Sequence, residues 1–328
     1  MARLILHIGA HKTGTSYLQR ILHRNRDLLA KNGVIYPDLG PNPAHHILAA
    51  PWIDMPEIEP HWFGDAGAAG LWKRFIADMA GHDGPVILSA EPFSRVAPQA
   101  VDLPALAALC AAFESVTIVY VVRHQVELAQ SIWLQRAKTS GAPPVERFVE
   151  HALSTGLASG ISLDHLEIYQ RLLEAFPCDS IRLADYHHLR RQAGGLLGGF
   201  CRLAGLDLPL SAFSSLPTSE ANISPDPLAS LIARRLTLPD VPDRALLKWV
   251  GERVQKRYGA GKNCIFNWEE INRLDQKFAK SNQLLEEAYH AQDAAFSITP
   301  TQTDGWLCRD DLTWEIWTDM ARSFYHAA

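Results

Sequence analysis

A run of β-favouring apolar residues, Arg3 to Ile8, stops at Gly9, and the next sustained pattern, Tyr17, Leu18, Ile21, Leu22, Leu28 and Leu29, has helical spacing. A strand, a loop and a helix therefore follow one another at the start of the chain. The loop reads His7-Ile8-Gly9-Ala10-His11-Lys12-Thr13-Gly14-Thr15-Ser16. Backbone N–H groups at the start of such a helix, reinforced by the helix dipole, bind phosphate or sulfate. Lys12 adds a positive charge, and Thr13, Thr15 and Ser16 add hydroxyl donors. Capping a helix takes one hydroxyl, so a set this rich predicts an anion site.

The alternation continues downstream. Pro85 to Ala90 and Val116 to Val122 are short, nearly uninterrupted and rich in Val and Ile, as strands buried on both faces of a parallel sheet are. An Ala/Leu-rich stretch from Val101 to Phe113 separates them, and a fourth strand, Ser180 to Ala184, lies between helical stretches ending near Phe176 and covering Ala193 to Ala204. This order predicts an α/β fold with a doubly wound, mainly parallel sheet flanked by helices. Residues 37–70, rich in Pro, Gly, Trp and His and without a period, read as a long loop or lid over the sheet edge. After about Leu210 the pattern turns helical, over 226–236, 244–258, 268–289 and 312–325. The expected organisation is one domain over 1–328, with an α/β core over 1–210 and a mainly helical section over 211–328.

A second phosphate-seeking element stands further along. Val119-Tyr120-Val121-Val122-Arg123 is a buried strand ending in a guanidinium that can hold phosphate bidentately. Ser131, eight positions on, falls about two turns into the following helix. Neither element has the order of a P-loop NTPase: Lys12 precedes Gly14, the Gly-Lys dipeptide is missing, and Arg123 stands where a magnesium-binding aspartate commonly ends the comparable strand. These departures argue against the alternative of a P-loop nucleotide kinase. A non-catalytic nucleotide-binding protein is the alternative from another class; it would keep Arg123 and Ser131 but would not need Lys12.

At these residues the chain resembles the sulfotransferases that use 3′-phosphoadenosine 5′-phosphosulfate, most closely the bacterial ones, whose first loop has the form Lys-x-Gly-Thr/Ser-Thr/Ser, here Lys12-Thr13-Gly14-Thr15-Ser16. The resemblance implies a P-loop-like sulfotransferase fold and transfer of a sulfuryl group to a hydroxyl or amine acceptor. It also implies that the loop, His11 included, wraps the 5′-phosphosulfate, that Lys12 stabilises the departing bridging oxygen, and that Arg123 and Ser131 hold the 3′-phosphate. The co-substrate would be 3′-phosphoadenosine 5′-phosphosulfate and the product adenosine 3′,5′-bisphosphate, with no metal required. Ser131 to Lys138, Phe148, and Phe278 through Asn282 to Tyr289 extend the likeness, which is weak over 37–84 and 239–267.

An acceptor becomes nucleophilic when a base takes its proton. Glu91 follows the second core strand, at a carboxyl-end position where ligands of open α/β sheets bind, and is the first candidate. His45 is the second; His46 beside it and His11 in the loop are further imidazoles able to act near neutral pH. Ser219 to Ser224 could face the site, although Ser224-Pro225-Asp226 is also an ordinary helix start. The glycines from Gly194 to Gly199 lack nucleotide-loop spacing and read as close helix packing, and Trp52, Trp62 and Trp72 read as core or loop anchors.

A formal net charge of -5 gives no overall basic field, so nucleic acid is not an expected partner and any anion site must be local. The five cysteines, at 110, 178, 201, 264 and 308, lack zinc or disulfide-framework spacing and read as buried thiols. The amino terminus has no signal-peptide pattern and no long apolar span, so a cytoplasmic protein without stable membrane insertion is expected. The expected partner is a small-molecule or glycan acceptor: carbohydrate, glycolipid or small metabolite.

Overall fold

The computed structural model describes residues 1–139, 141–216 and 226–325. In chain order the elements are β1 (Arg3–His7), α1 (Thr15–Arg24), α2 (Arg26–Lys31), α3 (Gly67–Met79), β2 (Pro85–Ser89), α4 (Leu103–Cys110), β3 (Ser115–Val122), α5 (Gln125–Thr139), α6 (Val145–Thr155), β4 (Leu157–Ala158), β5 (Ile161–Ser162), α7 (His165–Leu173), β6 (Ile181–Asp185), α8 (Tyr186–Arg191), α9 (Gly195–Leu203), α10 (Pro227–Thr237), α11 (Arg244–Tyr258), α12 (Trp268–Tyr289) and α13 (Trp314–Tyr325). They form two compact units. The first holds the described residues of 1–123, 160–221 and 281–299, and the second those of 124–159, 222–280 and 300–328. Ser219 to Ser224 lie outside the described residues.

The first unit is built on a four-stranded sheet in the order β2-β1-β3-β6, every neighbouring pair parallel, with Ile5 opposite both Ile87 and Thr117. This is the doubly wound sheet that the strand and helix alternation predicts. Side chains alternate along each strand, so two cores form. Leu4, Leu6, Val86, Leu88, Tyr120 and Leu183 pack on one face with α3, α4 and α7. Ile5, Ile87, Val119 and Val121 pack on the other with α1 and α9. The chain turns from β1 to β2 on one side and to β3 on the other, which makes the carboxyl ends of β1 and β3 the switch point where ligands of open α/β sheets bind.

Residues 37–66 contain two short 3-10 turns, His46–Ala49 and Pro60–Phe63, and α3 begins at Gly67, inside the stretch that reads as loop. The glycines and alanines at 66–70 hide its period. Much of the segment is core, with Ile47, Leu48, Ala49, Ile53 and Ile58 buried and the Trp72 indole donating to the Leu48 carbonyl at 2.8 Å. It also covers the free edge of β2, where Ile35 bridges Val86 and the His45 amide donates to the Ser89 carbonyl. Between α8 and α9 the packing is tight enough that a Cβ on Gly199 would stand 2.9 Å from the Leu189 carbonyl oxygen, which accounts for the glycines there without a nucleotide.

In the second unit α10 packs against α5 and α11, and α11 against α13. Arg309 is buried between Glu270 and Glu146, at 2.9 and 3.0 Å. Among the described residues no helix is long and apolar enough to cross a membrane.

Candidate active site

The loop after β1 is held by the sheet it leaves. The Ile8 and Ala10 amides donate to the Val119 and Val121 carbonyls at 3.0 and 2.8 Å, which carries the β1–β3 pairing past the end of β1. Two residues then take left-handed backbone conformations, Lys12 at φ 63° and Gly14 at φ 81°. For lysine that costs roughly 1–2 kcal/mol, a strain that persists only where surrounding structure imposes it. Gly14 is the N-cap of α1, and a Cβ there would come within 2.5 Å of Leu196 Cδ2. The Thr13 hydroxyl donates to the Ala10 carbonyl at 2.7 Å and cinches the turn. The Tyr17 and Leu18 amides bond the Gly14 carbonyl at 3.0 and 3.1 Å, so the Thr15 and Ser16 amides are those of the first turn with no carbonyl within the helix to reach.

Arg123, the residue after β3, reaches the same loop: its Nη1 donates to the Lys12 carbonyl at 3.1 Å. Its guanidinium lies 5.1 Å from the centre of the Tyr186 ring, which Arg190 also approaches at 5.5 Å. The His165 ring donates through Nε2 to the Arg123 carbonyl at 2.8 Å and engages the Tyr120 hydroxyl through Nδ1 at 2.9 Å. Lys12 and Arg123 are thus brought together at the switch point. Ser131 is half-buried on α5, in the second unit.

A buried polar network fills the ends of β1 and β2. Glu91 opens the turn after β2 with only 6% of its surface exposed. Its Oε2 accepts from Gln19 Nε2 at 2.7 Å and from His46 Nε2 at 2.6 Å. Burial alone would raise the Glu91 pKa, but the hydrogen bond and charge of His46, with His11 and Thr15 behind them, hold it well below the carboxylate range. The Ser89 hydroxyl joins Gln19 at 3.2 Å to His7 Nδ1 at 2.8 Å.

The histidines divide by their partners. His45 is 1% exposed; its Nδ1 accepts from the Ser89 amide at 2.9 Å and its Nε2 donates to the Pro37 carbonyl at 2.8 Å. Both nitrogens are spent on backbone, so this ring fastens the 37–66 segment to β2. His46, one residue on, uses Nε2 on Glu91 and keeps Nδ1 for another group. His11 Nε2 is buried with no hydrogen-bond partner, and burial lowers the His11 pKa to about 4, with His46, Arg95 and Lys12 pushing the same way against Glu91.

The cluster joins Lys12, Thr13, Gly14, Thr15, His11, Arg123 and Glu91 in one unit. Sequence reasoning missed Gln19, Ser89 and His7, and ranked His46 below His45. Gln19 carried a readable signal: it stands four residues after Thr15, on the same face of α1. Among the described residues no three His, Cys, Asp or Glu side chains gather as a metal would require.

Burial also sets an acid response. His7 and His45 are held neutral by burial, their pKa lowered from 6.5 to about 4. Below about pH 6.5 the unfolded chain takes up protons that the folded rings refuse until about pH 4, so stability present above that window is lost as pH falls through it. Glu91 acts with the same sign, but only at the foot of this window, where the unfolded carboxyl takes up a proton that the folded one, held well below the carboxylate range, refuses. Urea titrations from pH 7 to pH 4 should therefore show stability falling by up to about 2.7 kcal/mol per pH unit from these two rings. A flat profile would mean that these rings take up protons in the fold as readily as in the unfolded chain.

No known family profile matches the sequence, and a search of curated proteins finds no match. Solved structures do resemble it. A sulfotransferase from Alicyclobacillus acidocaldarius is 17% identical over 74% of this chain and 98% of its own, with a TM-score of 0.40. A mouse sulfotransferase complexed with PAP is 13% identical over 90% of this chain and 89% of its own, at 0.43. The sulfotransferase domain from the curacin biosynthetic pathway is 11% identical over 80% of this chain and 99% of its own, at 0.40. At these scores the functional reading rests on the chain's own residues.

Proposed function

We propose that this chain transfers a sulfuryl group from 3′-phosphoadenosine 5′-phosphosulfate to a hydroxyl or amine acceptor. The observation that carries the reading is the hydrogen bond from Arg123 to the Lys12 carbonyl, because it joins at 3.1 Å two phosphate-seeking motifs found independently in the sequence. The donor carries phosphate at both ends of its ribose, and a loop and a guanidinium meeting at the sheet switch point suit such a molecule. The buried, unpartnered His11 Nε2 and the glycine cradle at Gly14 also fit an anion seated in the turn.

When bound, the donor supplies a sulfuryl group whose bond to the phosphate oxygen breaks as a bond to the acceptor forms. Lys12 stabilises the charge that collects on that oxygen, and the first-turn amides of α1 orient the phosphosulfate. Arg123 holds the 3′-phosphate. His46 takes the acceptor proton on Nδ1, while Glu91 holds Nε2–H and offsets the imidazolium charge. A carboxylate whose pKa sits so far below neutrality is a weak base by itself, which is why the proton goes to the imidazole.

Calorimetry with adenosine 3′,5′-bisphosphate, beside turnover of labelled donor over a panel of acceptors, tests the reading. Arg123→Ala should weaken bisphosphate binding by roughly 10- to 100-fold, the loss of charge-assisted hydrogen bonds. Unchanged affinity in that variant, or no binding by the wild type, would remove the assignment.

A further inference from the structure

Two of the five cysteines lie side by side. Asn263 and Leu307 form a parallel bridge, and the Cys264 amide donates to the Leu307 carbonyl at 2.8 Å. Cys264 and Cys308 are thus the residues next to this bridge on its two sides, both 0% exposed. Neighbouring strands run about 4.8 Å apart, inside the Cα separation of roughly 4.4–6.8 Å that a disulfide spans. Cys110 and Cys201 are buried elsewhere and Cys178 is exposed.

We propose that Cys264 and Cys308 are a modification site, a dithiol that closes to a disulfide when the protein meets a peroxide. Cys308 is the attacking sulfur. The Asp311 amide donates to its Sγ in the capping box that opens the 309–311 turn, and a hydrogen bond to the sulfur favours the thiolate there. The Cys308 thiolate attacks one peroxide oxygen and the O–O bond breaks, giving a sulfenic acid, while the departing hydroxide takes up the proton that the Cys308 thiol released and leaves as water. The Cys264 sulfur then attacks the sulfenic sulfur, the S–O bond breaks, and its proton leaves with the hydroxide as a second water. Two thiols lose two electrons and two protons; the peroxide is reduced to two waters.

The bond has consequences beyond the pair. It closes the stretch 264–308, which contains all of α12, and so restricts the unfolded chain. It also fixes the backbone against which α5 is braced. Gln130 of α5 accepts from the Ile265 amide at 2.9 Å and donates to the Asn263 carbonyl at 3.4 Å, one contact on each side of Cys264.

Treating the protein with hydrogen peroxide and then titrating thiols under denaturing conditions tests this directly. Three of the five thiols should remain. The intact mass should fall by about two units, and a Cys264 peptide should be recovered linked to a Cys308 peptide. Tm should rise by roughly 5–10 °C and return on reduction. Cys264→Ser and Cys308→Ser should each abolish the linkage; should either fail to fold, the wild-type peptide map still decides. Five intact thiols, loss confined to Cys178, or sulfinic acid in place of the link would overturn the proposal. Bisphosphate binding in both redox states separates the two readings: if the donor assignment is wrong the nucleotide binds neither form, and the crosslink still appears.

Discussion

Lys12→Ala should lower kcat by roughly 10²- to 10³-fold, the usual loss when one preorganised charge facing the departing oxygen is removed, while adenosine 3′,5′-bisphosphate binds within a few-fold of the wild type. The separation of the two effects follows from how Lys12 is built into the turn. Its backbone is held at φ 63° and its carbonyl takes the Arg123 hydrogen bond, and alanine keeps both. What is lost is the ammonium, whose partner charge develops only as the donor bond breaks. An interaction made only in the transition state appears in kcat and leaves ground-state binding alone. Single-turnover measurement of sulfuryl transfer, beside bisphosphate titration, reads both quantities. A variant that turned over normally would take Lys12 out of the chemistry, and one that lost nucleotide binding in proportion would make it a docking residue.

The sheet was legible because its strands advertise themselves: Pro85–Ser89 and Ser115–Val122 are short Val/Ile-rich runs with no polar face to confuse the period. The loop after β1 was legible for a different reason. Its motif is sequence-local, a strand end running into a helix start, so spacing alone reports it. The proposed proton-accepting group is not of that kind. Glu91, Gln19 and His46 come from three separate elements and meet only because β2 lies beside β1 and the 37–66 segment folds over the edge of β2. His45 and His46 are indistinguishable as neighbouring letters. One residue of offset turns one ring into the backbone of β2 and the other onto Glu91. α3 stayed hidden because Gly67 and Gly70 dilute the helical period where it starts, although Trp72 and Phe75 of the same helix are among the most buried side chains of the first unit.

His46→Ala and Glu91→Gln should each cost roughly 10²- to 10³-fold in kcat, and the double variant should be little worse than either. Non-additivity of this kind is the signature of a unit: once the imidazole is gone, the carboxylate has nothing to hold. Glu91→Gln keeps the shape and can still face Gln19, but it removes the negative charge that offsets the imidazolium formed when His46 takes the proton. The pH profile separates this arrangement from a direct carboxylate base. Because His46 and neighbouring groups hold Glu91 well below the carboxylate range, Glu91 stays ionised at every pH at which the fold survives, and its own titration cannot shape the rate. An acid limb in kcat/KM must then come from another group. That limb should vanish from the residual rate of His46→Ala and persist in His45→Gln, whose ring is fully engaged with backbone on both nitrogens. If His46→Ala kept the limb and most of the rate while Glu91→Gln lost it, the proton would be passing to the carboxylate itself, and the buried pair would serve only to hold the 37–66 segment against β2.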